Sequence, residues 1–422
     1  MHVLLITQYF PPEIGAAATR WGDYVKILNS MGHRVTVLCE MPNYPLGEYF
    51  PGYKRAWVRE ERISPDLTII RSFAWANNRS SAIKKLGHYL IFMLSGLINA
   101  FKLKNYDVLI ISSPPLFVGV IGAIISKIKS IHFILDIRDL WPESVMALGE
   151  VRSKWVFNMG KKLESFIYKS TNGYILTVPG FKHHFNKHYP EQLNKPMINL
   201  INGVSNTFFD LAQKYDRIPE KRFTVLYSGN MGLAQGLESV IKAADILQKY
   251  PIDFKFVGSG VKQKVLKTKA DKLGLKNVVF LPVQKKEELI KLIKKASVCL
   301  VPLKNDPLFR NAIPSKMFEY MACGRPVIVS ISGEVTEIIN KAKSGSIAMA
   351  EDANSIADSI LYYYNNRGKI IKKGQNGVRY VKQNVRKEVL ISYAVEKMQN
   401  AINKKSTLQR IFDSNYMKSN NG

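Results

Sequence analysis

The sequence is poor in cysteine, in acidic residues and in long apolar runs. Its 422 residues include three cysteines, Cys39, Cys299 and Cys323, which lie far apart and lack the spacing of metal ligands. A disulfide framework and a structural zinc site are therefore excluded as the basis of the fold, and a reducing cytosol is the expected compartment. The hydrophobic fraction is 46% and the charged fraction 22%, an ordinary balance for a globular protein. The length predicts two or three domains.

The longest apolar runs fall short of the roughly 20 residues needed to span a bilayer, so we expect no transmembrane helix. The N-terminus also lacks the basic segment of a secretory signal, and polar Thr7 and Gln8 follow its first apolar residues. Leu86–Phe101 comes nearest to a span, but polar residues interrupt it and lysines frame it. It is either a core helix or a helix that lies in a membrane interface.

The deficit of acidic residues leaves a large positive charge. Lysine and arginine number 61 against 33 aspartate and glutamate, a formal net charge of +28. This charge attracts polyanions such as nucleic acid, anionic lipid headgroups or phosphorylated substrates, unless it reflects only a compositional bias toward lysine. No pattern of a nucleic-acid-binding domain is present, and stretches such as Lys285–Lys295 are typical of amphipathic surface helices. We expect no nucleic-acid partner, although a non-catalytic basic binding protein remains a rival interpretation.

Buried-strand runs alternate with helical segments along the whole chain, the pattern of parallel α/β domains. The predicted strands are Val3–Thr7, Val35–Cys39, Thr68–Arg71, Val108–Ser112, His132–Ile137 and Tyr174–Val178 in the first half, and Thr224–Ser228, Lys255–Val257, Val278–Leu281, Val298–Pro302, Val327–Ser330 and Ser346–Met349 in the second. We expect two doubly wound, Rossmann-like domains over residues 1–203 and 204–385, with a hinge near Asn202–Pro219. Residues 386–422 are predicted as a helix, Val385–Ile402, that returns toward the first domain, and a polar tail.

Each half opens with a strand, a glycine-bearing turn and a helix. The first turn carries Gly15 and Ala16, and the second carries Ser228, Gly229 and Asn230. In open parallel sheets, ligands bind beyond the carboxyl ends of the strands, at the point where the strand order reverses. Two such domains facing one another would place both sets of strand ends around one interdomain cleft.

The segment Pro314–Ile328 is the most informative part of the chain. Ser315 is predicted as the N-cap of a short helix over Lys316–Cys323, and Gly324 as its left-handed end. A helix N-terminus suits a diphosphate, and Lys316 adds a positive charge there. Glu319, one turn after Ser315, is placed to accept hydrogen bonds from a ribose diol. Alternatively, its carboxylate only complements the helix dipole.

This segment resembles the donor-binding signature of the retaining GT-B glycosyltransferases of glycosyltransferase family 4. Their pattern is a Glu-x-Met-Ala-x-Gly-x-Pro-Val-Ile run that ends a Glu-x7-Glu motif. Glu319 matches the second glutamate, which binds the nucleotide ribose in that family. The first glutamate would fall at Asn311, so this half of the motif is missing.

Four further segments strengthen and narrow the resemblance. They are Gln8–Ala17, Met41–Gly47, Asp136–Glu143 and Tyr227–Gly236. In the family, small residues of the first loop let backbone N–H groups approach the donor phosphate, which assigns that role to Gly15 and Ala16. Together the motifs look like the branch that builds bacterial O-antigen and capsule repeat units, including N-acetylfucosamine transferases.

The resemblance also implies donor contacts in the second domain. Ser228 lies in the matching turn, but Asn230 and Gln235 stand where family members carry arginine and lysine that neutralise the leaving diphosphate. Lys316 and Arg310 are the nearest replacements by charge. With Ser315 and Glu319, these residues complete the predicted donor site.

Arg138 and Asp139 stand where many relatives place a histidine facing the transferred sugar. Asp139, at the carboxyl end of a strand, is a candidate to orient or deprotonate the acceptor hydroxyl. The competing interpretation is a structural aspartate that caps the next turn, before Pro142. His183, His184 and His188 could form a metal cluster, but we predict that they face solvent. We expect no metal and no cofactor, because no Asp-x-Asp motif with a strand-end setting is present.

The resemblance implies transfer of a sugar with retention, from a nucleotide sugar to a polyprenyl-diphosphate-linked saccharide. Uridine is the predicted base, although GDP donors would make the same ribose and diphosphate contacts. We expect a protein of the cytoplasm bound peripherally to the inner face of the plasma membrane. A sugar-nucleotide epimerase of the same architecture is the nearer rival, and it would act without a lipid acceptor.

Overall fold

The chain divides into two compact units. The computed structural model describes residues 1–147, 153–216, 222–306 and 312–402. The first unit comprises residues 1–200 together with the described residues from 391 onward, and the second comprises residues 201–390. The predicted boundary at 203/204 lies three residues beyond this division.

The first unit is built on an eight-stranded sheet. Its strands are β1 (His2–Thr7), β2 (Arg34–Glu40), β3 (Val58–Ser64), β4 (Leu67–Ser72), β5 (Val108–Ser113), β6 (His132–Ile137), β7 (Gly173–Leu176) and β8 (Met197–Asn199). Their order is β3-β4-β2-β1-β5-β6-β7-β8, and every pairing is parallel except β3 with β4. The sequence patterns predict six of these strands and miss β3 and β8. Strand β3 is largely exposed and rich in charge, and β8 has three residues, so neither carries a buried apolar run.

The helices of this unit are α1 (Ala16–Ser30), α2 (Ala82–Lys102), α3 (Leu116–Lys129), α4 (Glu143–Ala147), α5 (Lys154–Ser170) and α6 (Phe181–His188). A further helix, α15, covers residues 387–402, and its residues from 391 onward belong to the first unit. Helix α3 packs against both α2 and α5. The predicted C-terminal helix therefore starts two residues later than expected. Ser392 Oγ on α15 lies 3.9 Å from Met31 Sδ in the first unit.

The second unit has a six-stranded sheet. Its strands are β9 (Phe223–Ser228), β10 (Ile252–Val257), β11 (Val278–Leu281), β12 (Val298–Pro302), β13 (Val327–Ser330) and β14 (Gly345–Ile347). The order is β11-β10-β9-β12-β13-β14, with parallel pairing throughout. All six strands match predicted ones to within three residues at each end. The apolar side chains that predict them are buried in two clusters of this unit.

The helices of the second unit complete the doubly wound pattern. They are α7 (Asn206–Lys214), α8 (Leu237–Ile246), α9 (Gln263–Lys272), α10 (Lys286–Lys295), α11 (Ser315–Ala322), α12 (Glu334–Ala342), α13 (Ala353–Asn365) and α14 (Arg367–Tyr380). Helix α7 occupies much of the predicted hinge, because Phe208 and Phe209 bury in the second unit's core. The hinge itself stays a prediction.

Both sheets are consistent with the predicted class of two Rossmann-like domains. The strand order reverses between β1 and β5 in the first sheet and between β9 and β12 in the second. These two reversal points are where doubly wound sheets bind ligands, beyond the carboxyl ends of the strands. The loops after β1, β5, β9 and β12 are therefore the places to look for chemistry.

Candidate functional site

At the reversal point of the second sheet, the end of β9 is tied to helix α11. The backbone N–H of Ser228 donates to Tyr320 Oη at 2.7 Å, and the Ser228 hydroxyl lies 3.0 Å from the same oxygen. Tyr320 is buried in the core beneath this point. The predicted donor residues Ser228, on the strand, and Ser315, Lys316 and Glu319, on the helix, are thus brought together.

Lys316 reaches across the glycine turn. Its Nζ donates to Tyr227 Oη at 2.9 Å and lies 4.1 Å from the centroid of that ring. A Cβ added at Gly229 would come within 2.8 Å of Nζ, and the φ of Gly229 is +124°, so only glycine suits this position. Burial lowers the pKa of Lys316 to about 8. An anion bound here would meet a cation that water stabilises poorly.

The start of α11 differs from the prediction by one residue. Ser315 is the first helical residue, Pro314 occupies the N-cap position, and no side chain caps the helix. Pro314 has the fixed φ that suits a helix start but leaves the first backbone N–H groups without a capping partner. Gly324 has φ +68°, the predicted left-handed end. The uncapped N-terminus is therefore consistent with the diphosphate contact that the sequence predicts, which stays a prediction.

Glu319 lies one turn after Ser315. Burial raises the pKa of its carboxyl group, while the positive charges of Lys316, Lys286 and Lys387 oppose this rise. The carboxylate is thus partly buried in a positively charged environment. Such a group accepts hydrogen bonds from hydroxyl donors such as those of a ribose. The same carboxylate can also complement the helix dipole, so the two interpretations of Glu319 are compatible.

Sequence reasoning missed a second glycine turn, Gly258-Ser259-Gly260, which follows β10. A Cβ at Gly258 would lie 2.2 Å from the Gly229 carbonyl oxygen, and one at Gly260 2.5 Å from that of Met231. The two turns pack backbone to backbone, and Met231 N–H donates to the Ser259 carbonyl at 2.8 Å. Two glycines at the end of a predicted strand were visible in the sequence and could have indicated this.

Asn230 and Arg310 are the other two predicted donor-binding residues of the second unit, and only Asn230 lies among the described residues. Asn230 is exposed, and its carbonyl accepts from the Tyr227 hydroxyl at 2.5 Å, so it belongs to the same turn as Ser228. Arg310, like Asn311, lies outside the described residues.

In the first unit, Gly15 and Ala16 form the start of α1, directly after the β1 loop. Glu13 holds this loop to the one after β2. Its carboxylate accepts from the backbone N–H groups of Asn43 and Tyr44, both at 2.9 Å, and from that of Phe10 at 3.1 Å. Burial and the nearby Glu40 raise the pKa of Glu13 to about 8. The segments 8–17 and 41–47, separate motifs in the sequence, are one structural feature.

Arg138 is turned back toward the sheet. Its Nε donates to Ser112 Oγ at 2.9 Å, and its Nη2 donates to the Pro114 carbonyl. Ser112 in turn donates to buried Asp136 at 2.8 Å, which also pairs with Arg20 at 2.9 Å. Burial lowers the pKa of Arg138. Its present contacts therefore organise the ends of β5 and β6.

Asp139 is engaged by the turn that follows it. Oδ1 accepts from the Leu140 backbone N–H at 2.9 Å and Oδ2 from Ser144 Oγ at 2.8 Å. These are the contacts of the structural, capping interpretation. The residue is nevertheless exposed, and desolvation of its carboxyl raises its pKa. A carboxylate with a raised pKa at a strand end also keeps the properties of a general base.

A buried polar network beside this loop was not predicted. Glu40 accepts from Gln8 Nε2 at 2.8 Å and from Asn43 Nδ2 at 3.0 Å. His88 Nε2 lies 2.9 Å and Arg79 Nη2 3.5 Å from the same carboxylate. No sequence pattern joins these residues, which come from β1, β2 and the region of α2.

The prediction that all three histidines face solvent is wrong for His184. His183 and His188 are exposed, but His184 is buried, where its ring contacts Tyr189 and the adjacent Phe185 of α6 packs on Tyr168. Glu143, Glu164 and His184 each offer a ligand atom within 4.8 Å of the others. Lys161 Nζ already contacts both carboxylates, at 2.7 Å from Glu143 Oε1. An ammonium group thus supplies the positive charge of this cluster.

Comparison with known proteins gives a consistent result. Residues 209–387 match the family model described as glycosyl transferases group 1. The putative colanic acid biosynthesis glycosyl transferase WcaI of Escherichia coli K12 is 26% identical over 341 residues, which cover 78% of this chain and 83% of WcaI.

Two solved structures match over nearly the whole chain. Sucrose-phosphate synthase (tll1590) from Thermosynechococcus elongatus superposes with a TM-score of 0.68 at 17% identity, covering 98% of this chain and 99% of the synthase. Anabaena HepE, in complex with UDP and glucose, gives 0.66 at 15% identity, covering 94% and 99%. At these identities the likeness establishes the fold.

Proposed function

Since this chain is a glycosyltransferase of the GT-B fold with a glycosyl transferases group 1 domain, we propose that it acts in bacterial polysaccharide synthesis. The proposed reaction transfers an N-acetylated deoxyhexose from a UDP-sugar to a polyprenyl-diphosphate-linked saccharide of an O-antigen or capsule, with retention. The name of WcaI, a colanic acid glycosyl transferase, supports the pathway class. The complex of HepE with UDP supports the donor class.

The observation that carries the proposal is the position of Lys316. Its Nζ stands beside the Gly229 turn and the uncapped N-terminus of α11, at the reversal point of the second sheet. As the bond from the sugar to the diphosphate breaks, negative charge develops on the leaving phosphate. The ammonium group and the helix N-terminus would stabilise that charge, and in this proposal they take the place of a metal ion. Glu319 would hold the ribose, beside Ser228 and Ser315.

The acceptor half of the reaction is assigned to the first unit. There Arg138 follows the end of β6. Gly15 and Ala16, at the start of α1, keep the donor-phosphate role that the resemblance implies. We assign Asp139 to the acceptor hydroxyl, whose proton it would orient or remove while still anchored by Ser144. Its raised pKa moves the carboxylate toward a better base.

Membrane association is part of the proposal. Helix α2 exposes an apolar stripe, formed by Ile83, Leu86, Leu94, Ile98 and Phe101. Exposed Lys102 and Lys104 follow at its end, and Lys84 and Lys85 stand at its start. Among the described helices, none combines the length and apolarity needed to cross a bilayer. A helix of this kind binds in the headgroup region of an anionic bilayer, which would bring the enzyme to a lipid-linked acceptor.

Nucleotide recognition provides the first test. We expect UDP to raise the melting temperature of the purified protein, and GDP, ADP and dTDP to do so much less, because a ligand that binds only the native state stabilises it. Glu319→Ala and Lys316→Ala should each weaken UDP binding about tenfold or more, because each removes a contact that involves a charged group. Their circular dichroism should match the wild type.

The matched control is Glu287→Ala on exposed α10, which should bind UDP as the wild type does. A shift selective for GDP would refute the proposed donor while leaving the fold and reaction class intact. Wild-type UDP affinity in both site variants would refute the site.

A further inference from the structure

We infer that Arg79 and the N-terminal end of α2 form a binding site for the diphosphate of the lipid-linked acceptor. The inference rests on the acceptor class proposed above and assigns a specific place to its phosphate groups. It starts from an arginine whose hydrogen-bonding capacity is only partly used.

The Arg79 side chain is 9% exposed. Its Nη2 donates to Asn43 Oδ1 at 2.5 Å and lies 3.1 Å from His88 Nε2 and 3.5 Å from Glu40 Oε1. The other two nitrogens, Nε and Nη1, are buried and have no hydrogen-bond partner among the described residues. Buried donors on a charged group are costly when they stay unpaired. An oxygen-rich anion would satisfy them, and a guanidinium matches phosphate geometry well.

The position of Arg79 in the fold also favours an anion-binding site. Helix α2 connects β4 to β5, which run in the same direction in the sheet. Its N-terminus therefore lies at the carboxyl edge, near the loops after β1 and β2. Lys84 is in its first turn and makes only long contacts, of 3.4 Å, with Asn78 and Ser80. A helix N-terminus, an arginine and a lysine together produce a strongly positive place.

Glu40 is the acidic group that contacts Arg79, and the two side chains form a buried ion pair. Lys84 and the N-terminus of α2 therefore supply the net positive charge of the site, while the Glu40 carboxylate also receives hydrogen bonds from Gln8 and Asn43 and contacts His88. Burial and the nearby Glu40 raise the pKa of Glu13 to about 8, which favours its neutral form. On its other side the Arg79 guanidinium faces Tyr44, 5.4 Å from the ring centroid.

A row of aromatic rings leads from this place to the Asp139 turn. Tyr44 contacts Tyr9 with ring centroids 5.0 Å apart, and Tyr89 contacts Phe117 at 6.1 Å and Trp141 at 6.3 Å. Trp141 follows Asp139 by two residues. Aromatic faces at partly exposed positions suit the C–H faces of a sugar ring. With the diphosphate at Arg79, the attached saccharide would lie along these rings.

The same helix explains where the lipid would go. The diphosphate joins the lipid to the saccharide, and the N-terminal end of α2 is where the exposed apolar stripe begins, at Ile83. A lipid chain that leaves the diphosphate along this stripe would stay in the membrane interface. Phospholipid headgroups share the phosphate chemistry, so the experiment must distinguish them from a diphosphate.

The test uses the full chain with UDP at saturation, so that the nucleotide site is filled. Farnesyl diphosphate is the probe, titrated by calorimetry, and binding to phosphatidylglycerol vesicles is measured in parallel. We expect Arg79→Met to weaken farnesyl diphosphate binding at least about tenfold, while its UDP and vesicle binding change less than about twofold. Lys84→Gln should weaken probe binding severalfold and leave UDP binding unchanged. Arg62→Met, at a 75% exposed arginine of β3, is the matched control and should bind the probe normally.

Three outcomes would overturn the inference. These are unchanged probe binding by Arg79→Met, an equal loss of probe and vesicle binding, which would indicate a general anionic-lipid patch, and no probe binding by the wild type. Should Arg79→Met alter the circular dichroism spectrum, Lys84→Gln at the helix surface decides alone, and wild-type affinity there would refute the site. Failure of the wild type to bind UDP would refute the donor proposal instead, since probe binding is read separately.

Discussion

Lys316 is a cation placed where water stabilises its charge poorly. The Lys316 Nζ lies over the Tyr227 ring and beside the Gly229 turn. Burial lowers the pKa of this side chain to about 8. Near neutral pH it is mostly protonated, and a bound diphosphate would favour that form further. The charge that we propose binds the donor is therefore one that moderately alkaline pH removes.

This leads to a pH prediction for UDP affinity. With a pKa of about 8 in the free protein and a higher one in the complex, UDP binding is strongest below pH 8 and weakens above it. Between pH 7 and pH 9 the dissociation constant should rise about tenfold, because most of the free protein then carries a neutral amine. Calorimetric titration across this range measures it directly.

Lys316→Arg is the control for this prediction. A guanidinium stays charged throughout the range, so UDP affinity in the variant, even if lower overall, should change little between pH 7 and pH 9. An equally steep decline in the arginine variant would show that another group causes the pH dependence.

At the scale of elements, α2 has a buried face with polar contacts and an opposite, exposed apolar face. On its buried face, His88 Nε2 lies 2.9 Å from Glu40 Oε2 and Asn99 Nδ2 donates to Ser72 Oγ at 2.9 Å. These contacts fix the helix to the sheet. Its exposed face carries the apolar stripe that begins at Ile83. The core-helix and interface-helix interpretations of Leu86–Phe101 are thus not exclusive, since each describes one face.

The stripe predicts a defined loss of membrane binding. In Leu94→Glu combined with Ile98→Glu, two exposed apolar side chains, 54% and 44% exposed, become charged. Partitioning onto phosphatidylglycerol vesicles should fall at least about tenfold, because burial of each side chain contributes of the order of 1 kcal/mol or more. UDP affinity should not change.

Val265→Glu, at a 52% exposed valine of α9 in the second unit, is the matched control for vesicle binding. It should sediment with vesicles as the wild type does. An equal loss in both variants, or none in the α2 variant, would refute the assignment of α2 as the membrane-binding element.

At the scale of the whole molecule, the net charge of +28 acts over longer distances than any single contact. The screening length falls from about 10 Å at 0.1 M salt to about 3 Å at 1 M. Electrostatic attraction to an anionic surface is therefore removed by salt, whereas apolar insertion is not. A compositional bias toward lysine, without a membrane partner, predicts no such binding.

We accordingly expect vesicle binding that depends on both lipid charge and salt. The wild type should bind phosphatidylglycerol vesicles at 0.1 M NaCl, dissociate substantially at 1 M, and bind phosphatidylcholine vesicles weakly at either concentration. Sedimentation with vesicles measures all four conditions. Vesicle binding that depends neither on the salt concentration nor on the content of anionic lipid would contradict membrane docking by charge.

Much of this molecule is determined by patterns within short stretches of sequence. Six strands of the first unit, all six of the second and the end of α11 at Gly324 follow from apolar runs and a glycine, because these are set by local geometry and burial. Edge strand β3 escapes prediction because its side chains are mostly exposed. Ser315 falls one residue from its predicted place because Pro314 can begin the helix equally well.

Only the tertiary structure decides which distant residues meet. The sequence identifies Ser228, Lys316 and Glu319 as candidates, but the order of strands places Lys316 against the Gly229 turn. The same holds for Arg79 and Glu40, which no local pattern connects. Short stretches encode periodicity and turn chemistry, whereas strand order comes from the packing of whole elements. The sequence by itself therefore determines the class of fold and the candidate residues, and the packing of the sheets decides their contacts and their pKa values.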